Sequence, residues 1–347
     1  NDASLWREAA TAATDFITKN RTQSNPYRLY TTADNDTDKN YYECFVSTPH
    51  LNNEYILSRS EWQTREIELF LAPCGFSGSV NSTGRTNPTQ NLVDSYETKN
   101  GLPIDKDPSY DPQNPYANRD PRLEQTILHH GSIWGDAKQD EEREVDVTYG
   151  SGKDYHELHG GTLTGYYTKK FLNNMSFKSP TTYTHACPIF RYAEVLLGYV
   201  EAMNEMEGSY TDEDGQVTVT RDVDQMVKYF NQIRYRAGQP GITTADAADQ
   251  SRMRELIKHE RLIEFAFESH RYWDLRRWKD AYDAYNKPIR GLDVSARESQ
   301  REQFYTERIW NTEKTMKRMF SNKMYLWPLD RNVLRKNGKL VQNPGWN

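Results

Sequence analysis

The sequence has few cysteines and no long apolar segment, and both absences narrow the classes of protein that it can encode. The 3 cysteines among its 347 residues have no metal-site spacing, and because their number is odd at least one thiol is free or pairs between chains. The mean hydropathy is low, at −0.95. No apolar run approaches the ~20 residues that a membrane-spanning helix requires. We therefore expect neither a cysteine-bound metal nor a transmembrane helix.

The chain also lacks an excess of positive charge and the short motifs of common enzymes. Its 44 Lys and Arg residues stand against 50 Asp and Glu, a formal net charge of −6 that does not suggest the basic surface of a nucleic-acid-binding protein. It has no Walker loop, no G-x-G-x-x-G, no G-x-S-x-G and no H-E-x-x-H, so we expect no cofactor and no catalytic metal. Histidines without ligand spacing are interpreted as hydrogen-bonded or solvated side chains: His129, His130, His156, His159 and His185.

The most informative stretch runs from Asn231 to Trp278. A helix over residues 222–237 is predicted to end at RYRAG, with Gly238 as a left-handed cap and Pro240 preventing continuation. Thr243 or Thr244 can cap a second, longer helix, along which apolar residues recur at three- and four-residue spacing.

That second helix carries Glu260, Glu264 and Glu268 at i, i+4 and i+8. Like charges at this spacing repel, so the row requires nearby cations. We predict that Glu260 and Glu264 pair with Arg234 or Arg236 across the two helices, since arginine binds carboxylates with two parallel hydrogen bonds. The alternative is a glycosidase carboxylate pair, but an acid and a base need separate environments, which one arginine-rich helix face does not provide.

This block closely resembles the SusD/RagB family of Bacteroidetes outer-membrane lipoproteins, whose helical motif reads IR-x-RAG and then ER-x-x-E-x-x-x-E-x-x-R-x-x-D-x-x-R-W. The matching positions are Ile233, Arg234, Arg236, Ala237, Gly238, Glu260, Arg261, Glu264, Glu268, Arg271, Asp274, Arg277 and Trp278. Ser269 stands where the family usually has Gly. Residues 91–104, 114–128, 164–171, 191–204 and 324–347 resemble further family segments in the same order.

The resemblance implies a mainly α fold of tetratricopeptide-like helix pairs with a long, irregular, loop-rich insertion. We expect 1–347 to be one such domain without the family's N-terminal part, because no signal peptide is visible and the chain opens in a helical pattern. Its expected parts are a first helix at 2–20, an irregular ligand-facing region at 21–185, a helical scaffold at 186–280 and a C-terminal extended wrap at 281–347. Pro188 suits the first turn of a scaffold helix, and residues 211–216 suit a turn between helices.

The resemblance also implies a function. Family members are lipid-anchored on the cell surface and cover a SusC-like TonB-dependent outer-membrane transporter, to which they deliver captured glycans. We therefore expect a non-enzymatic subunit that binds an oligosaccharide or polysaccharide and contacts the membrane only through a lipid anchor outside this chain. The alternatives are a glycoside hydrolase and a helical-repeat adaptor that binds only protein.

Sugars bind by stacking their apolar faces on aromatic rings, while polar side chains contact the hydroxyl groups. The favoured rings sit in the irregular region among small, polar or charged residues, whereas the aromatics of RYWDLRRW are expected to pack at a helix end. The predicted ligand-binding side chains are Trp134, Tyr149 and Tyr155, with Trp62, Phe76 and Arg85 as a second wall.

Overall fold

The chain folds mainly into α-helices. The structure is a computed structural model, and it describes residues 3–59, 62–148, 150, 152–155, 161–296, 301–305, 307–309 and 318–346. None of the described helices combines the length and apolar character needed to span a membrane. The helices are α1 Ala3–Arg21, α2 Asn40–Val46, α3 Glu66–Leu71, α4 Gln90–Ser95, α5 Arg122–Thr126, α6 Tyr192–Glu205, α7 Val223–Arg236, α8 Thr244–Ala248, α9 Gln250–Glu264, α10 His270–Arg277, α11 Ala281–Asn286, α12 Arg301–Phe304 and α13 Arg331–Lys336.

Every described strand belongs to a two-stranded antiparallel sheet. The strands are β1 Tyr55–Ser58, β2 Trp62–Thr64, β3 Ile127–Leu128, β4 Ile133–Trp134, β5 Arg143–Glu144, β6 Tyr167–Thr168, β7 Tyr183–His185, β8 Pro188–Arg191, β9 Ser209–Thr211, β10 Thr218–Thr220, β11 Arg290–Leu292 and β12 Glu307–Ile309. They pair as β1–β8, β2–β7, β3–β6, β4–β5, β9–β10 and β11–β12. Short ribbons of this kind cannot form a core alone, so their stability depends on packing against the rest of the chain.

The first hydrophobic core joins α1, α6, α7 and α9. The helix α6 packs against the other three, and its Leu196, Val200 and Met203 are at most 2% exposed. Phe230 of α7 and Met253 of α9 lie in the same cluster. Spacings of three and four residues place such side chains on one helix face. The helices of this first core could therefore be predicted from the sequence.

The second core lies under the irregular region and is built from loops, short strands and short helices. It contains Val93 of α4, Leu123 of α5 and Tyr167 of β6. The helix α9 contributes to both cores, because Ile257 belongs to the first and Ile263, nearly two turns further on, belongs to the second. The residue range 21–185 is therefore irregular in backbone but has a packed interior of its own.

Two predicted helices differ in the structure. Pro188 opens strand β8 instead of a helix, and α6 begins only at Tyr192, because residues 188–191 pair with β1. Thr243 does cap a helix, through a capping box with Asp246, but that helix is the short α8. Asp249 then caps α9 separately. The predicted long second helix is thus three helices, since the chain also leaves α9 at Phe265 and begins α10 at His270. Glu260 and Glu264 lie on α9 as predicted, but Glu268 lies in the turn between α9 and α10.

Two further segments differ. Residues 211–216 lie at the turn of the β9–β10 hairpin and not between two helices. The C-terminal segment has no continuous helical pattern, yet it contains the short helix α13, whose first turn is capped by the Asp330 carboxylate accepting from Asn332 N at 2.8 Å. The prediction of an extended wrap over residues 281–347 is therefore wrong at α11, α12 and α13.

Candidate functional site

A buried ion network occupies the centre of the molecule, on the face of α9 that carries the glutamates. Arg234 Nη1 donates to Glu260 Oε2 at 3.1 Å, and Arg236 Nη2 donates to Glu264 Oε1. Both carboxylates are fully buried. The predicted pairing across α7 and α9 is confirmed. Sequence reasoning did not find Arg122 of α5, whose Nη1 bridges Glu260 at 2.5 Å and Glu264 at 3.1 Å.

The network extends from α9 into the strands and loops. Arg191, at the end of β8, donates to Glu54 at 2.5 Å, to Glu264 at 2.8 Å and to Glu268 at 2.8 Å. Lys170 Nζ donates to Glu268 Oε1 at 2.6 Å from a fully buried position. Each glutamate of the row is thus neutralised by cations from different segments, which ties the irregular region to the helical scaffold.

This network is built for structure and not for proton transfer. Burial by itself raises the pKa of Glu264, but the guanidinium groups of Arg236, Arg191 and Arg122 outweigh it and hold that pKa well below its usual range. The pKa values of Glu260 and Glu268 are lowered in the same way by their own cations. A general acid needs a raised pKa, so the row does not supply one at neutral pH.

Three side chains predicted to bind the ligand are buried. Trp134 and Phe76 are 5% and 4% exposed within the second core, and Tyr155 is 2% exposed. The ring of Phe76 packs against Phe177 at 5.8 Å between centroids. The expectation that these three rings are open platforms is therefore wrong, because each of them is buried in the fold. Tyr149 lies outside the described residues.

The two remaining predicted residues are accessible, and each forms a cation–aromatic pair. The guanidinium of Arg59 lies 4.2 Å from the ring centroid of Trp62, which is half-buried on β2. The exposed Arg85 lies 4.2 Å over the ring of Phe70, at the end of α3. Nothing in the structure tests sugar binding at these positions, so ligand binding there stays a prediction.

A cleft lined by two tryptophans was not predicted from the sequence. It encloses ≈ 360 Å³ between α1, α6, α9 and the end of α10, and Trp6 and Trp278 line it. The Trp278 indole donates to Glu201 at 2.7 Å, and Arg277 also donates to that carboxylate. Trp278 was interpreted as a packing residue, which these contacts support, but it also faces the cleft. Trp273, expected to pack, is 61% exposed.

His129 fits its interpretation as a hydrogen-bonded side chain, since its Nε2 lies 2.6 Å from a Glu124 oxygen. His185 Nε2 lies 3.1 Å from Glu68, within ion-pair distance, but does not form a hydrogen bond within the described ranges. Across the described ranges, His, Cys, Asp and Glu nowhere gather in a group that could hold a metal ion. His156 and His159 lie outside those ranges.

Comparison with known families agrees with these features. The model of the SusD family matches residues 53–346, which is most of the chain. The chain therefore belongs to the SusD family, and the resemblance seen in the motifs is confirmed. No curated protein matches the sequence.

Solved structures share the fold and confirm its mainly α character. A SusD-like carbohydrate-binding protein from Bacteroides fragilis is 26% identical, with a TM-score of 0.68 over 97% of this chain and 61% of that chain. Another SusD-like protein from that species is 25% identical, with a TM-score of 0.67 over 99% and 64%. Surface glycan-binding protein A from Bacteroides uniformis, 17% identical, has a TM-score of 0.51 over 99% and 57%, and shares the fold alone. The chain thus spans less than two thirds of the length of these relatives.

Proposed function

We propose that this chain is the glycan-binding part of a SusD-type nutrient-uptake protein. The observation that carries the proposal is the family match over residues 53–346. It is supported by relatives that are described as a carbohydrate-binding protein and as a surface glycan-binding protein.

The rigidity of the scaffold supports a role in capture. The Glu260–Glu264–Glu268 row joins α9 to α5, α7 and β8 through buried ion pairs. A frame fixed in this way loses little conformational entropy when a ligand binds, which favours affinity.

We propose the Trp62 and Arg85 surfaces as sugar contacts, because they are the accessible members of the predicted site. A sugar face that covers ~50–100 Å² of an aromatic ring contributes roughly 1–3 kcal/mol at ~25 cal/mol per Å². The guanidinium groups of Arg59, beside Trp62, and of Arg85, beside Phe70, can donate hydrogen bonds to sugar hydroxyls. A few such contacts are enough for millimolar to micromolar binding, about −4 to −8 kcal/mol.

We further propose that capture occurs without hydrolysis. Hydrolysis requires one carboxylic acid and one carboxylate in separate environments, whereas the carboxylates of the α9 row share one network of cations. In the cell, the chain would then deliver intact glycan to a SusC-like TonB-dependent transporter. The full-length protein would be lipid-anchored at the outer-membrane surface, as the family implies.

A glycan panel tests this function directly. The chain is incubated with neutral and acidic oligosaccharides, and binding is measured by calorimetry while reducing ends are assayed. Bound but intact sugar is the expected result. Released reducing ends that disappear in a carboxylate variant would show a hydrolase, and the absence of both binding and products would leave a protein-only adaptor.

The Trp62→Ala variant tests the proposed contact. Loss of one stacking surface should weaken binding of the best panel glycan roughly ten-fold, about 1.4 kcal/mol. Trp273→Ala is the matched control, because it removes an indole that is also accessible but lies on α10. Wild-type affinity in Trp62→Ala, or an equal loss in both variants, would place the sugar elsewhere.

A further inference from the structure

A cationic cavity of ≈ 690 Å³ lies between α4, the turn at residues 265–269, α10 and α11. Its wall includes four cationic side chains, Arg271, Lys287, Arg290 and Arg318, and one carboxylate, Asp94. The formal charge of the wall is therefore +3, four positive charges less one negative charge, in a chain whose net charge is −6. A concave surface with an excess of one sign of charge concentrates ligands of the opposite sign.

Arg271 is the cation whose environment is most informative. It has no carboxylate within ion-pair distance in the part of the chain that the structure describes. Its acidic neighbours are engaged elsewhere, since Asp274 accepts from Arg261 at 2.8 and 3.0 Å and Asp280 lies 2.8 Å from Lys258. Burial accordingly lowers the pKa of the Arg271 guanidinium. A half-buried arginine in this position can form a bidentate pair with an added anion.

Arg318, a second cation of the cavity wall, has a similar environment. Its Nε–H is buried and has no hydrogen-bond partner within the described ranges. Its Nη2 donates to the Lys287 carbonyl oxygen at 3.4 Å, and its guanidinium lies 5.9 Å from the ring centroid of Tyr285. Burial lowers the pKa of this group too. An anion in the cavity would offset the desolvation of both arginines.

The remaining wall is held in place by α4. The Asn91 amide donates to the Pro288 carbonyl at 3.0 Å and accepts from Arg290 N at 2.8 Å. Arg290 Nη2 in turn donates to Asp94 at 2.7 Å. These contacts fix the segment that carries Lys287 and Arg290, so the positive charges are positioned before any ligand arrives.

Aromatic surface lies beside the charges. Tyr285 and Phe267 are half-buried and line the cavity. The backbone of Phe267 has a φ of 63°, a region that bulky residues rarely adopt, and Ser269 has a φ of 67°. Strained turns of this type concentrate at ligand sites, where the surrounding structure holds them.

We propose that this cavity binds an acidic saccharide, one whose sugar rings carry a carboxylate or a sulfate ester. The proposal rests on the glycan-binding function and names the class of ligand. The volume falls within the range of small-ligand sites, about 300–1,000 Å³. Arg271 and Arg318 pair with the acidic group, and the rings of Tyr285 and Phe267 pack against the apolar sugar face.

The test compares three disaccharide probes by calorimetry on the full chain: digalacturonic acid, a chondroitin sulfate disaccharide and neutral galactobiose. Binding of at least one acidic probe should be roughly ten-fold or more tighter than that of the neutral probe. It should weaken roughly ten-fold or more in Arg271→Gln and in Arg318→Gln, because each loses a charged hydrogen-bond pair. Whether the carboxylated or the sulfated probe binds more tightly identifies the acidic group.

Two controls separate a binding role from a structural one. Arg252→Gln removes the same charge from an exposed position in the first turn of α9 and should leave the affinity unchanged. Arg271→Lys keeps the charge but not the guanidinium fork and should retain intermediate affinity, with a thermal midpoint like the wild type. Equal binding of acidic and neutral probes, or acidic binding that survives both glutamine variants, overturns the proposal. Tight binding of neutral glycans alone would refute this cavity and leave the proposed function standing.

Discussion

Glu264 shows, at the scale of single residues, what the buried network contributes. Its carboxylate is fully buried and contacts Arg122, Arg191 and Arg236. Glu264→Ala leaves these three cations without that partner, and breaking a buried ion pair costs roughly 3–5 kcal/mol. We expect a loss of this size in the free energy of unfolding, measured by urea denaturation.

The control for that variant is Glu213→Ala, an exposed residue near the β9–β10 turn. A surface change of this kind should stay within about 0.5 kcal/mol of the wild type. If Glu264→Ala unfolded at the same urea concentration as Glu213→Ala, the carboxylate would have to be hydrated and the network absent in solution.

Glu194 and His270 give a second prediction, which concerns pH. Their Oε2 and Nε2 atoms are 3.6 Å apart. Burial raises the pKa of Glu194 to about 7, although Arg261 and Arg191 oppose the shift. Burial likewise lowers the pKa of His270 to about 4. Because the folded state holds the Glu194 proton more tightly than the unfolded state, the free energy of unfolding falls as the pH rises from 4.5 to about 7. Because the folded state holds the His270 proton less tightly, the free energy of unfolding rises between about pH 4 and 6.5.

Between about pH 4.5 and 6.5, Glu194 lowers the free energy of unfolding with rising pH, whereas His270 raises it. In Glu194→Gln only the effect of His270 remains, so the free energy of unfolding should rise with pH more steeply than in the wild type. It should also exceed the wild-type value at pH 8, where the buried carboxylate would be ionised. Thermal melts across pH 4.5–8 measure both effects, and parallel pH profiles for the two proteins would contradict them.

The residues that could be predicted are those with a local signal. Glu260 and Glu264 are one helical turn apart, and a repelling row on an apolar helix face requires cations, so their pairing with α7 was legible in the sequence. Arg122 completes the same row from a distant segment, and no local spacing reports that contact. Trp134 is surrounded by small and charged residues in the sequence, yet its ring is buried in the second core among residues from other segments.

At the scale of elements, the sequence indicates where helices lie better than where they stop. A cap at Thr243 was predictable because threonine is a favoured residue at the start of a helix. The break between α9 and α10 was not, because Phe267 and Ser269 adopt the left-handed region that glycine usually occupies.

Ser269→Gly tests that account of the break. Ser269 has a φ of 67° just before α10, and glycine adopts this conformation without the steric penalty of a Cβ. Relief of the strain should stabilise the chain by roughly 1 kcal/mol, measured by urea denaturation. Ser269→Ala keeps the Cβ and should show no gain. A Ser269→Gly variant that is less stable than Ser269→Ala would mean that the serine hydroxyl matters more than the backbone angle.

At the scale of the whole molecule, two hydrophobic cores are joined through α9 and the ion network. The helical core could be predicted from periodicity, whereas the second core joins residues from loops, short strands and short helices between Ala72 and Phe304. Arg122 links the two parts directly, since it pairs with Asp120 beside α5 and with Glu260 and Glu264 on α9. Cooperative unfolding of the chain should therefore depend on this side chain.

We expect Arg122→Met to uncouple the two cores. The variant leaves three buried carboxylates without a shared cation, which should cost roughly 3–5 kcal/mol, and most of that loss falls on the contact between the cores. In the wild type, far-ultraviolet circular dichroism and tyrosine and tryptophan fluorescence should follow one urea transition. In Arg122→Met the fluorescence transition should separate from the helical transition, because the fluorescence includes Trp134 and the tyrosines of the second core, whereas the far-ultraviolet signal comes mainly from the helices. Coincident transitions in Arg122→Met would show that apolar contacts of α9 alone join the two cores.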